Sequence, residues 1–370
     1  MNHADRRDRL RAELSKVDQQ LLLVSEPKNI AYLCGFTGSA GWLLLTPDSH
    51  FLLTDGRYWD QVGRQSPQAE LFKFTPQAHQ SLAGALFVLL QEKGLEGTLA
   101  IETDGMALSV FRELEKVSKE NETAFQESSG LVKALRECKD AEEVELLQKA
   151  ADIADKALAN ALAEFGPGKT EFQLKAELEY QILCLGGQGT SFPTIVASGP
   201  NGSYPHAGAS QRVVGEGELI TIDFGAQFQG YCSDMTRTIW YGELSAEHRR
   251  LLAETRVAQE LAVRAVRAGM ATKDLDSVAR THLESVGLGG YFLHSLGHGV
   301  GLDVHESPGI RKTDETSLKI GQVITVEPGV YLAGETGCRV EDTVLVEEDG
   351  CRVINRFPKQ PLDSPRPILA

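Results

Sequence analysis

The segment Leu219–Trp240, L-I-T-I-D-F-G-A-Q-F-Q-G-Y-C-S-D-M-T-R-T-I-W, constrains the fold more than any other stretch of the chain. Asp223 and Asp234 each sit in a run of β-branched and apolar residues whose composition and alternation predict a strand. A strand interior is a poor place for an unpaired carboxylate. A hairpin turning at Phe228–Gln229 sets the two acids opposite each other on one face. Like charges so placed repel, so a positive group is expected between them.

A second stretch has the same character. V-I-T-V-E-P-G-V-Y (323–331) and C-R-V-E-D-T-V-L-V (338–346) predict a hairpin centred on Gly334, with Glu327 facing Glu341. Each hairpin follows two predicted helices. The first helix opens on Asp140 with Glu143, and Val144, Leu147, Ala151, Ala154 and Leu158 keep helical spacing; Thr170 and Gln173 form a capping box for the second. Two further helices cover 245–268 and 273–286. In both halves the first hairpin acid falls about 80 residues after the helix start, and the second falls 11 residues later in one half and 14 in the other. The spacing predicts a helix–helix–hairpin plan used twice about a pseudo-twofold, with four carboxylates brought to one central site.

Residues 1–129 read as a smaller α/β domain ahead of a domain spanning 130–370. Its elements are a charged helix at 5–17, strands at Leu21–Val24, Ile30–Phe36, Trp42–Leu45, Phe51–Thr54 and Thr98–Glu102, and helices at 80–93 and 106–119. Two segments imitate phosphate loops. Gly35 to Gly41 is spaced G-x-x-G-x-x-G and reads as a tight turn, and Gly168-Lys169-Thr170 follows a helix rather than a strand. Arg57 and Tyr58 read as a surface or subunit contact.

A net charge of −15 argues against a nucleic-acid or anionic-membrane binder. The longest apolar run, Ala83–Leu90, is too short to span a membrane. The start, M-N-H-A-D-R-R-D-R-L, has no signal-peptide pattern, and six scattered cysteines without a C-x-x-C pair are expected to be free thiols in a reducing cytoplasm.

Four acids in strand interiors require compensation, and two divalent cations balance their charge. An imidazole is expected beside them. L-G-H-G-V-G-L-D-V-H-E offers His298, framed by Gly297, Gly299 and Gly301, and also His305. Oxygen donors with one imidazole suit Mn²⁺, Co²⁺ or Fe²⁺, and Zn²⁺ is accommodated. Taken singly, each residue has a plainer reading: a salt-bridged acid, a surface histidine, Arg339 as charge partner of Glu341. Their joint occurrence points to a metal centre.

The motifs D-F-G-A-x-x-x-G-Y-x-S-D-M-T-R-T, H-G-V-G-x-x-x-H-E, T-V-E-P-G-V-Y and C-R-V-E-D-T, in this order, resemble the pita-bread metallopeptidases, closest to Xaa-Pro aminopeptidase and prolidase. N-I-A-Y-L-C-G-F-T-G-S and T-D-G-R-Y resemble the creatinase-type N-terminal domain. The resemblance implies an α+β pita-bread catalytic domain preceded by a smaller α/β creatinase-type domain. It implies metal ligands at Asp223, Asp234, His298, Glu327 and Glu341, with Asp234 and Glu341 bridging two divalent ions, Mn²⁺ first among the candidates. Glu327 would serve as general base, His206 and His305 as substrate-side catalytic histidines, and Arg339 as a supporting or substrate-contacting group.

The implied activity is hydrolysis of the Xaa-Pro bond at the N-terminus of proline-containing peptides by a cytoplasmic homodimer. The alternative is a prolidase restricted to Xaa-Pro dipeptides. A reading of another class is a non-catalytic binding protein on the same fold. Methionine aminopeptidases lack this N-terminal domain, and creatinase lacks the metal ligands that are intact here.

Overall fold

The computed structural model describes residues 2–367. The chain forms two compact units, one ending at Arg136 and the other beginning at Glu137.

The first unit is built on a six-stranded sheet in the order Glu70–Lys73, His50–Thr54, Trp42–Leu45, Leu21–Val24, Leu99–Glu102, Phe125–Ser128. The outer pairings are parallel, and the two hairpin-like pairings inside are antiparallel. Leu21, Leu23, Leu44, Leu53 and Ile101 make its core with the helix Leu82–Glu92.

One sequence expectation changes here. The run Ile30–Phe36, expected as a strand, lies mostly in the helix Pro27–Cys34. Pro27 occupies its first turn, Glu26 accepts the Asn29 N–H at 2.8 Å, and Gly35 at φ 83° closes it. These end signals outweigh an apolar composition that suits either structure. The expected charged helix at the start is present as His3–Lys16, and it buries Arg6 and Arg7 along with Leu10 and Leu14.

In the second unit the helix–helix–hairpin plan occurs twice. Helices Ala141–Ala163 and Glu171–Cys184 each begin on a complete capping box, at Asp140/Glu143 and Thr170/Gln173. They cover the sheet Met235–Ile239, Ile220–Phe224, Ile195–Ser198. Helices Ala246–Ala265 and Thr272–Ser285 cover a five-stranded sheet that includes Val323–Val326 and Asp342–Val346. Each half has its own apolar core. Among the described residues no helix is long and apolar enough to cross a membrane.

The two hairpins differ in where their turns fall relative to the sequence expectation. The ladders on both sides of Glu327 and Glu341 share one register, with Gly329 opposite Arg339 and Val326 opposite Asp342. The turn is therefore centred on Gly334, which has φ 75°, as expected. In the first hairpin Asp223 lies opposite Thr236, not Asp234. Its turn is Gln229–Gly230, one residue later than expected, and both residues have positive φ, 47° and 85°. A two-residue hairpin turn of this kind needs positive φ at both positions, which Gly230 tolerates and Phe228 would not. Moving the centre by one residue shifts the register by two. Asp223 and Asp234 thus stay on the same face, diagonally placed.

Candidate metal centre

The strand Ile220–Phe224 presents Asp223, and Asp234 immediately precedes the strand Met235–Ile239. Glu327 and Glu341 sit in the breaks between the two ladders of the second hairpin. One oxygen from each of Asp223, Asp234 and Glu341 lies within 4.8 Å of the other two. Glu327 joins through His298, whose Nε2 is 3.3 Å from Glu327 Oε1 and 3.6 Å from Asp234 Oδ2.

His298 is held by its neighbours. Its Nδ1 lies 3.0 Å from the Gly299 carbonyl, and its backbone N–H donates to Thr325 Oγ1 at 3.0 Å. A carbonyl can only accept, so Nδ1 carries a proton and Nε2 is the atom turned to the acids. The flanking glycines are needed for this approach. A Cβ on Gly297 would stand 2.1 Å from the Thr325 carbonyl oxygen, and one on Gly299 would stand 2.3 Å from that of Ser307. Gly297→Ala is expected to destabilise the second unit by about 2 kcal/mol or more and to lower its metal content, read by urea unfolding and elemental analysis. Wild-type values for both would reject the packing argument.

Four carboxylates here share one guanidinium. Arg339, 3% exposed, donates from Nη2 to Asp223 Oδ2 at 2.5 Å, and its Nε lies 3.9 Å from Glu327 Oε2. That is too little positive charge. Burial, then the charges of Glu341 and Asp223, push the Asp234 carboxyl well above the usual range. Burial, then Glu327 and Asp223, do the same to Glu341. Burial also raises Asp223, with Arg339 opposing it. Glu327 goes the other way: against burial, its bond to His298 and the charges of His298, His294 and Arg339 bring it down to about 2. Thr236 Oγ1 donates to Glu341 Oε2 at 2.7 Å.

Two buried oxygens, Asp223 Oδ1 and Glu341 Oε1, have no hydrogen-bond partner. Buried carboxylate oxygens without a donor are costly. Crowded, partly orphaned acids beside one imidazole nitrogen form a donor set that fits divalent cations.

His305 is exposed, with its ring centroid 4.2 Å from that of His298. His206 is exposed and follows Pro205, whose carbonyl accepts from Arg339 Nη1 at 3.1 Å. Two residues escaped the sequence reading. Tyr331 OH lies 2.6 Å from Arg339 Nη1, and His294 Nε2 lies 3.0 Å from Tyr331 OH. Tyr331 was visible at the end of V-E-P-G-V-Y and His294 four residues before His298, but neither spacing by itself indicates contact.

The sequence matches the Metallopeptidase family M24 over residues 145–348 and the Creatinase/Prolidase N-terminal domain over residues 6–138. The chain belongs to metallopeptidase family M24. M24 metallopeptidases use divalent metals, in keeping with the donor set just described. This M24 chain is 36% identical over 342 residues to the Xaa-Pro dipeptidase of Pyrococcus furiosus, covering 92% of this chain and 94% of the relative. Among solved structures, the Xaa-Pro dipeptidase from Bacillus anthracis matches with a TM-score of 0.92 at 34% identity, over 97% of this chain and 99% of that one. An X-Pro aminopeptidase from Thermotoga maritima matches with a TM-score of 0.87 at 34% identity, over 95% and 98%. The M24 fold of the second unit is thus the expected pita-bread architecture, preceded by the creatinase-type domain.

Proposed function

We propose that this M24 metallopeptidase hydrolyses the Xaa-Pro bond of dipeptides. The observation that carries the reading is a largely buried cluster of Asp223, Asp234 and Glu341, joined by Glu327 through His298, on a chain 36% identical to an Xaa-Pro dipeptidase over 92% of its length. The motifs alone favour an aminopeptidase acting on longer peptides. The relatives' names favour the dipeptidase, and the Thermotoga neighbour keeps the aminopeptidase as the second reading.

In this proposal Asp223, Asp234, His298, Glu327 and Glu341 hold two divalent cations, with Mn²⁺ first and Co²⁺, Fe²⁺ or Zn²⁺ as alternatives. When bound, the cations supply Lewis acidity, polarising a carbonyl and lowering the pKa of water. Glu327, with its carboxyl down at about 2, is ionised at neutral pH and takes the proton from the attacking water. His206 and His305, both exposed, donate N–H groups to the developing oxyanion and the leaving nitrogen. Arg339 is a positioning residue: its donors go to Asp223, Tyr331, Pro205 and Thr236. The reading includes proline-containing substrates, a homodimer and a cytoplasmic location. The last agrees with six free cysteines.

The test is to assay the Mn²⁺-loaded protein on an Xaa-Pro dipeptide, an Xaa-Pro-Xaa tripeptide and a Met-Ala peptide. The dipeptide is expected to be cleaved at least about tenfold faster than the tripeptide. Comparable tripeptide cleavage would establish the aminopeptidase reading instead. Cleavage of neither proline peptide would reject both.

A further inference from the structure

The first unit contains a cavity of about 210 Å³ that shares no residue with the metal centre. It lies at the start of the helix His3–Lys16, beside His50 and the segment Gln65–Ala69. At roughly 30 Å³ per water this is room for about seven waters, enough for an inorganic phosphate or a small organic acid.

Its lining holds one arginine and no carboxylate. Arg7 is 5% exposed; Nη1 donates to the Leu33 carbonyl at 2.8 Å and Nη2 to Gln68 Oε1 at 3.3 Å, while Nε has no partner. A guanidinium carries five N–H donors, so three remain uncommitted. Three other buried arginines contrast with it. Arg280 is gripped by both oxygens of Asp276, Arg237 by Asp342 and Arg339 by Asp223. Among the described residues Arg7 forms no ion pair with a carboxylate. Asp8 is mostly exposed and pairs with Arg11 instead.

His50, 8% exposed, lines the same cavity, and its ring makes no hydrogen bond among the described residues. Burial, then the charges of Arg7 and Arg11, bring the imidazole down to about 4, so it is neutral at neutral pH with one N–H to offer. His3 and Cys34 complete the wall.

A buried guanidinium without a counter-charge is costly, and its planar fork matches oxyanions. We propose that this cavity binds a small oxyanion, a phosphate or a carboxylate group, held by Arg7 and His50.

The experiment is calorimetric titration of the full-length, metal-loaded protein with inorganic phosphate in a phosphate-free buffer, with acetate and free proline as separate arms. Saturable one-site binding is expected. His50→Leu is the informative variant because the ring has no hydrogen bond to lose. It should weaken binding at least about tenfold while leaving Xaa-Pro hydrolysis unchanged. Asp234→Asn, which alters the metal centre, should bind as wild type does. Arg7→Met should also abolish binding if the variant folds. Displacement of phosphate by acetate or proline would assign a carboxylate, and phosphate binding alone would assign a phosphate. No saturable binding in any arm, or any pattern other than loss in His50→Leu with retention in Asp234→Asn, overturns the proposal.

Discussion

Replacing Asp234 with asparagine is expected to abolish Xaa-Pro hydrolysis and, at the same time, to stabilise the metal-free protein. Asp234 is 4% exposed, and its nearest charged neighbours include three other carboxylates and the His298 imidazole at 3.6 Å. In the proposed site it would be one of the five residues that hold the cations. Its loss removes Lewis acidity worth several kcal/mol, so the rate should fall by about a thousandfold or more. In the metal-free protein the same residue is a liability, because burial and the charges of Glu341 and Asp223 oppose its ionisation. The neutral amide relieves that opposition. A gain of about 2 kcal/mol would raise the melting temperature of a unit this size by roughly 4 to 8 °C. The two outcomes carry opposite signs, so a general folding defect cannot produce both. An active Asp234→Asn enzyme would dismiss the site, and a lowered apo melting temperature would dismiss the crowding argument.

Chelation is expected to do more than stop catalysis: it should invert the pH dependence of stability. Without metal, Asp234 and Glu341 have pKa values raised above those of the unfolded chain. The native state then binds more protons than the unfolded state from the ordinary carboxylate range upward. Stability is therefore fully present below about pH 4 and is lost as the pH rises through the raised values. His298 acts in the same direction: against burial, Glu327 raises it above its usual value. Glu327 acts oppositely, but its pKa of about 2 confines that effect to the acid side of the window.

With metal bound, the same carboxylates must be ionised and His298 neutral, so affinity and stability both increase with pH. At a thousandfold excess over Kd the ions would contribute about 4 kcal/mol. Urea unfolding at pH 5 and pH 8, with and without a chelator, reads both slopes. Parallel slopes, or undiminished hydrolysis after exhaustive chelation, would contradict the metal-centre account.

The parts of the fold that could be read from sequence are those where one residue type has one physical use. Gly334 marked its turn because a positive φ there favours glycine, and the hairpin register of Glu327 and Glu341 followed from it. Asp140 with Glu143 and Thr170 with Gln173 marked helix starts because their hydrogen bonds are local. Where a residue admits several uses, the reading slipped. Gln229 takes a positive φ that its identity does not announce, which moved the first turn by one residue. The apolar run beginning at Ile30 suits a strand as well as a helix, and only Pro27 and Gly35 decide between them.

The site divides along the same line. Sequence alone determined that buried acids at Asp223, Asp234, Glu327 and Glu341 had to share compensation, because a strand interior does not tolerate lone carboxylates. It also singled out His298, through glycines that prove to have no room for a Cβ. Only the tertiary structure decided that Arg339 bonds Asp223 rather than its near neighbour Glu341. It alone decided that Tyr331 and His294 extend that contact, and that Arg7, in a charged helix, is buried beside a cavity without a carboxylate. Backbone geometry and charge burial are properties of short segments. Partner choice depends on which distant strands and helices fold against one another, and that information is not local to any stretch of the chain.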